Sequence, residues 1–219
     1  LPGKSGSYFM TAVLFLTYRR FDTAERVFET IREAQPSRLY FASNAPNPMT
    51  DHDDERVNKV RRLVERVDWP CRIEKLFRTE HLPVKYSISS SIDWFFEHEE
   101  EGIILEDDCL PTPSFFKFCN ELLDYYRDNH RIMMISGNNF QEGIQRGKSS
   151  YYFSKHCHIW GWATWKRSWE QFDINIKFWP KYKNSIDGLR NQARRTRRDD
   201  MQSPASPAGG PTPVIQGAN

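Results

Sequence analysis

No Cys-x-x-Cys pair occurs in the chain, and its four cysteines (Cys71, Cys109, Cys119, Cys157) fall at no zinc-binding spacing. That pattern leaves out the common structural zinc sites and points to reduced, mostly buried thiols in a cytosolic protein. Long apolar runs are missing as well. No stretch approaches the roughly 20 residues needed to span a bilayer, so no transmembrane segment is expected. Ala12 to Leu16 is too short for the apolar core of a secretory signal and continues directly into a domain pattern. The expected location is therefore cytoplasmic, at most peripheral to a membrane. A charge excess of either sign is also lacking, because Lys and Arg number 31 against 29 Asp and Glu. This balance argues against a nucleic-acid partner, and the one basic run, Arg194-Arg195-Thr196-Arg197-Arg198, reads as a solvated tail.

What is present is alternation. Short apolar runs at Ala12–Thr17, Arg38–Ala42, Arg72–Phe77, Gly102–Leu105 and Arg131–Ser136 read as strands. Between them lie amphipathic stretches of helical period: Ala24, Val27, Phe28, Ile31 and Ala34, then Val57 to Val67, then Ile88, Ile92, Phe95 and Phe96, then Ser114 to about Arg127. Asp22-Thr23-Ala24-Glu25 reads as a capping box opening the first helix, and His98-Glu99-Glu100-Glu101 as the solvated end of the third. Such alternation predicts an α/β fold with a mostly parallel sheet and helices on both faces. Ligands of such sheets sit beyond the carboxyl ends of the strands.

At one of those ends the run Gly102-Ile103-Ile104-Leu105 stops abruptly at Glu106-Asp107-Asp108. Three adjacent carboxylates repel one another, and more so where water is partly excluded. A cation in their midst relieves that repulsion, and hard oxygen ligands suit Mg²⁺ or Mn²⁺, ions that keep several waters and bridge to phosphate. A solvated acidic turn is the alternative. Further along, aromatic residues gather from Tyr151 to Trp179, including His158-Ile159-Trp160-Gly161-Trp162. Exposed aromatic faces suit saccharides, whereas buried packing is the commoner use of tryptophan.

Six segments carry a family resemblance in order: Val13-Leu14-Phe15-Leu16-Thr17-Tyr18-Arg19-Arg20, Val67-Asp68-Trp69-Pro70-Cys71, Ile88 to Phe96, Gly102 to Phe116, Met133 to Phe140, and His158 to Trp165. From Met10 to about Asn184 the chain resembles a bacterial family of nucleotide-diphospho-sugar transferases with the GT-A fold. The Leu105-Glu106-Asp107-Asp108 segment is also similar to N-acetylglucosaminyltransferases of the Golgi glycan-processing type. The resemblance implies a glycosyltransferase that moves a sugar from a nucleotide-diphospho-sugar donor, UDP-linked by preference, to a glycan or glycolipid acceptor. Its acidic motif would play the part called DxD, with Asp108 holding Mn²⁺ or Mg²⁺, Asp107 reaching the ribose or donor sugar, and Glu106 nearer the nucleoside. Thr17 and Tyr18 would line the base pocket. Arg20 would contact the diphosphate or make a surface ion pair, and Lys85 would approach the nucleotide or point to solvent. Asn44 stands where the family often has an acid, Arg19-Arg20-Phe21-Asp22 where it often has Asn-Arg-Pro-Asp, and Pro83 where it often has glycine. His158, Trp160 and Trp162 are candidates for sugar or acceptor contacts, with structural packing as the alternative for each.

Residues 1–9 read as an N-terminal extension, 10–186 as the nucleotide-sugar-binding domain, and 187–219 as a basic, then Pro/Gly-rich, disordered tail. The family generally continues past Phe178-Trp179-Pro180 with acceptor contacts and a catalytic acid, while here the match fades near Ile186. The chain therefore reads as truncated at its C-terminus. No catalytic base is nominated, and Asp173 and Asp187 read as ordinary surface acids. A catalytically incomplete nucleotide-sugar-binding remnant is the alternative function. A metal-dependent phosphohydrolase is a third, disfavoured because such enzymes take their first acid from the first strand, where this chain has Tyr18, Arg19 and Arg20.

Overall fold

The computed structural model describes residues 11–140, 149–177, 179–180 and 214–217. Every residue of the first strand, β1 (Val13–Thr17), is buried. Because strand side chains alternate, Val13 and Phe15 enter one apolar cluster while Leu14 and Leu16 enter another on the opposite face. The same division holds along β2 (Arg38–Ser43), where Leu39 and Phe41 face one way and Tyr40 and Ala42 the other. Strands apolar on both faces belong inside a helix-covered sheet. On one face lie α1 (Phe21–Ala34) and α4 (Pro113–Tyr125), contributing Val27, Phe28, Ile31, Phe116 and Leu123. The other face is covered by Ile92, Phe95 and Phe96 of α3 (Val84–Phe96). Each such side chain, fully removed from water, stabilises the fold by about 1.5–3 kcal/mol.

Around these elements run α2 (Asp53–Arg61), β3 (Arg72–Phe77), β4 (Glu101–Glu106), β5 (Met134–Ser136), β6 (Tyr151–Ser154), β7 (Trp162–Trp165), α5 (Lys166–Trp169) and β8 (Val214–Gly217). The sheet order is β3-β2-β1-β4-β7-β5-β8-β6. β1, β2, β3 and β4 pair in parallel, and β7 inserts antiparallel between β4 and β5. β8 pairs parallel with β5 and antiparallel with β6. The chain steps outward from β1 through β2 to β3, then returns to lay β4 on the other side of β1. That reversal opens a crevice beyond the carboxyl ends of β1 and β4. The expected α/β class with a mostly parallel sheet and helices on both faces is thus what the structure shows.

Several local expectations need correction. The first helix starts at Phe21, two residues earlier than a capping box with Asp22 as N-cap requires, and Arg20 occupies the N-cap without a side-chain cap. The second helix becomes a 3₁₀ turn, Arg62–Arg66, before Val67. The third ends at Phe96, and Glu99 is not solvated. It is buried, accepts a hydrogen bond from the Tyr40 hydroxyl at 2.8 Å, and lies 2.7 Å from Nε of Arg38. The strand ending in the acidic triplet includes Glu106, so only Asp107 and Asp108 lie beyond it. Of the expected tail, the structure describes 214–217 alone; the N-terminal extension and Asp187 lie outside the described residues.

The described residues form two units, one reaching to Glu170 and including 214–217, the other starting at Gln171. In the second, Asp173 closes a turn by accepting from the N–H groups of Asn175 and Lys177 at 3.0 and 2.6 Å.

Gly102 explains why β4 begins as it does. A Cβ there would overlap the Phe95 ring and stand 3.1 Å from the Ala12 carbonyl oxygen. Gly102→Ala is expected to destabilise the chain by about 1–3 kcal/mol through overpacking, read as a lowered urea midpoint with an unchanged m-value.

Candidate nucleotide-sugar cleft

The crevice between β1 and β4 holds a cavity of about 510 Å³. Its walls are the β1 exit (Thr17 to Arg20), the β2 exit at Asn44, the loop residues Asn47 and His81, the α3 face bearing Ser87 and Ser91, and Glu106 and Asp107. Backbone geometry sets this arrangement. Leu16 is opposite Glu106, and Thr17 opposite Ser43, so the exits of three strands come level on one edge.

Thr17 is buried and donates its hydroxyl to the Ala42 carbonyl at 3.0 Å, tying β1 to β2. Tyr18 turns outward. Its hydroxyl donates to Asp53 Oδ2 at 2.5 Å, and its ring lies 5.6 Å from that of His81, the planes inclined at 39°. Burial and the Asp53 carboxylate push the phenol up to about 12, so it stays a donor at neutral pH. Asn44 lines the cleft but commits its amide to backbone, donating to the Leu82 carbonyl at 2.8 Å and accepting from the Ala45 and Leu82 N–H groups. It therefore fixes the loop that carries His81. Lys85 is not brought into the cleft; it is exposed, with its ammonium 5.4 Å from the centre of the Tyr86 ring.

Asp53 was not foreseen. It is fully buried and accepts three hydrogen bonds, from Tyr18, from Arg19 Nη1 at 2.9 Å and from the Asn47 N–H at 2.8 Å. Burial alone would raise its carboxyl, but these donors together hold it below the usual carboxylate range. Such a group contributes stability at pH values above its unfolded pKa, and that contribution is lost as the pH falls through the lower folded value. Asp53→Ala is expected to cost about 1–3 kcal/mol at neutral pH and to weaken the acid dependence of stability, measured by urea denaturation across acidic pH. The available sequence signal was an acid in the first turn of a helix beginning with Asp53-Asp54-Glu55, with Tyr and Arg at a neighbouring strand exit.

The triplet divides between two pockets. Glu106 and Asp107 face the large cleft. Asp108 lines a second cavity of about 350 Å³, together with Leu110, Thr112, Asn138, Trp160 and Gly161. Burial raises Glu106, and the charges of Asp108 and Asp107 add to that shift while Arg20 opposes it. Burial also raises Asp107, against hydrogen bonds from Arg20 and from the Tyr18 N–H at 3.3 Å. Asp108 remains 43% exposed. Burial pushes the neighbouring Cys109 thiol up to about 11, leaving it inert as a nucleophile.

Gly161 has φ +79°, a left-handed conformation that side chains disfavour. The turn it makes leaves Trp160 58% exposed at the rim of the second cavity. The His158 ring stacks on Trp160 at 6.0 Å, and Phe140 stands edge-on to both. Trp162 is elsewhere, buried in β7 among Leu14, Phe95 and Phe96.

Most of the chain has a counterpart in fold among solved structures. It is similar to the mannosyltransferase PcManGT from Pyrobaculum calidifontis, solved with GDP-Man and Mn²⁺: TM-score 0.52 and 15% identity over 78% of this chain and 49% of that one. That likeness is one of fold. The chain spans about half the length of this mannosyltransferase. A structure of apo UDP-glucose pyrophosphorylase also aligns, over 95% of this chain and 90% of that one, at 11% identity and TM-score 0.44. No family model and no curated protein sequence matches the chain.

A resident metal centre is not built here: among the described residues no group of three or more His, Cys, Asp and Glu side chains is placed to hold one. The donor set does fit a hard divalent ion delivered with phosphates. Asp108 offers a half-exposed carboxylate beside the cleft, and Mg²⁺-type ions are commonly held by one or two carboxylates plus substrate phosphates. Among the described residues no helix is long and apolar enough to cross a membrane.

Proposed function

We propose that the chain is a glycosyltransferase domain that seats a nucleoside diphosphate sugar across the β1–β4 crevice. The observation that carries this reading is the division of the acidic turn, with Glu106 and Asp107 on a roomy cleft and Asp108 on an adjoining aromatic-rimmed cavity. The nucleoside takes the large cleft, where the Tyr18 and His81 rings offer apolar faces and Ser87 offers a hydroxyl. The sugar and a saccharide acceptor, free or lipid-linked, take the second cavity, where Trp160 supplies a stacking face and Asn138 and Thr112 supply polar partners. Asp108 holds the divalent cation, Mn²⁺ or Mg²⁺. When bound, that cation offsets the negative charge developing on the leaving diphosphate. Asp107 fixes the β1 exit by accepting from the Tyr18 N–H, so the nucleotide meets a preset wall. The fold shared with a mannosyltransferase solved with GDP-Man and Mn²⁺ supports the same reading.

Calorimetric titration with UDP and with GDP, in Mn²⁺ and in EDTA, tests it. Binding in the micromolar range, about −8 kcal/mol, strengthened by the metal, is expected for one of the two nucleotides. Failure of both to bind sinks the proposal. Binding without transfer from the matching nucleotide sugar identifies a donor-binding module instead.

A further inference from the structure

Arg20 stands where the repulsion of the acidic turn calls for a cation. Its backbone is fixed, because its carbonyl accepts from the Ala24 N–H at 3.0 Å and the Thr23 hydroxyl at 3.2 Å at the start of α1. Its side chain, 53% exposed, reaches across to the end of β4. There Nε donates to Asp107 Oδ1 at 3.1 Å, Nη2 donates to the same oxygen, and Nη1 lies 2.9 Å from Asp108 Oδ2. One planar guanidinium thus bridges two of the three carboxylates. Charge-assisted contacts of this kind are the strong class of hydrogen bond.

We infer that Arg20 is the resident counter-ion of the acidic turn and keeps divalent cations off Asp108 until a donor diphosphate draws its guanidinium away. The second half of that statement rests on the proposed function; the first rests on the geometry alone. A dication on Asp108 would sit within a few ångströms of the guanidinium, and like charges so close repel. A hard cation also needs carboxylate oxygens free of competing donors, and Nη1 occupies one. Phosphate is the other natural bidentate partner of a guanidinium. Arg20 lines the cleft and is half exposed, so its side chain can turn to a diphosphate while its carbonyl stays on α1. Cation and nucleotide then assist each other's binding, and the coupling is reciprocal.

The test is Mn²⁺ binding to the unliganded full chain, followed by the loss of the free-ion electron paramagnetic resonance signal. Arg20→Gln is expected to bind Mn²⁺ about tenfold more tightly than wild type, the factor set by how rarely Asp108 is free in the native chain. The gain should vanish in the double variant Arg20→Gln/Asp108→Asn. Arg20→Lys keeps the charge without the fork and is expected to fall between; it carries the test if Arg20→Gln does not fold. Mn²⁺ affinity equal to wild type in a folded Arg20→Gln chain overturns the inference. Titration with UDP and GDP in EDTA separates this from the parent reading. If wild type binds neither nucleotide while Arg20→Gln still gains Mn²⁺, the counter-ion role stands and the nucleotide reading falls. If wild type binds a nucleotide and Arg20→Gln does so about tenfold more weakly, the handover to phosphate is supported; unchanged nucleotide affinity overturns it.

Discussion

Asp108→Ala is expected to lower sugar transfer by about 10²–10³-fold, the usual consequence of removing one preorganised stabiliser of developing charge. The fold should survive. Asp108 is half exposed, and Arg20 keeps its contacts with Asp107 when Asp108 is gone. Its removal also relieves repulsion on Glu106 and Asp107, both of which its charge holds upward. The melting temperature is therefore expected to stay level or rise slightly, while the metal dependence of nucleotide binding disappears. Rates of nucleotide-sugar consumption with and without Mn²⁺, paired with a melting curve, read both effects. Transfer at the wild-type rate would remove Asp108 from the site.

Trp165→Ala is expected to have the largest effect on stability, about 3–5 kcal/mol. That corresponds to a fall in melting temperature of roughly 10 °C for a chain of this size. Trp165 is among the largest fully buried side chains and lies opposite Glu101 in the β4–β7 pair. Its indole N–H donates to the Leu123 carbonyl at 3.2 Å, and the Arg167 guanidinium lies 4.4 Å from its ring centre. Truncation opens a cavity beside α4, strips the Leu123 carbonyl of that partner and uncovers the Arg167 stem. Phenylalanine at the same position should recover much of the packing but not the hydrogen bond. Urea denaturation of the three chains separates these contributions. A loss below about 1 kcal/mol in Trp165→Ala, the size of an ordinary surface change, would show that the site collapses around the gap.

The first half of the chain was legible because its physics is local. Apolar runs bounded by Asn, Pro and Asp, alternating with helical periods, place β1 to β4 within a residue or two of their structural bounds. From that alternation followed the ligand edge, and with it Thr17, Tyr18, Arg20, Glu106 and Asp107 on one cleft. The second half was less legible because its order depends on long-range pairing. Nothing in Trp162-Ala163-Thr164-Trp165 announces a strand running antiparallel between β4 and β5. Tryptophans suited to a saccharide platform also suit a core, and the structure uses them both ways, Trp160 at a rim and Trp162 and Trp165 inside. Asp53 and His81 were missed for a related reason. Each acts across a loop, on partners 35 and 36 residues away in sequence, and neither spacing forms a motif. Glu99 was misread because an acidic run resembles a solvated helix end until Arg38 and Tyr40 are seen to converge on it.

The alternation of β4 between two cores has a consequence for how specificity can change. Ile103 and Leu105 pack on one face and Ile104 on the other, so a one-residue slip would exchange every side chain of the strand between faces. The acidic turn is thereby pinned in place, and variation must come from the walls around it. Those walls belong to separate stretches of chain: the exits of β1 and β2 with residues 44–50 and 81–91 on one side, and residues 110–112, 137–138 and 160–161 on the other. On the proposed function, preference for the nucleotide and preference for the sugar can therefore drift independently, one loop set at a time, about an axis that neither can move.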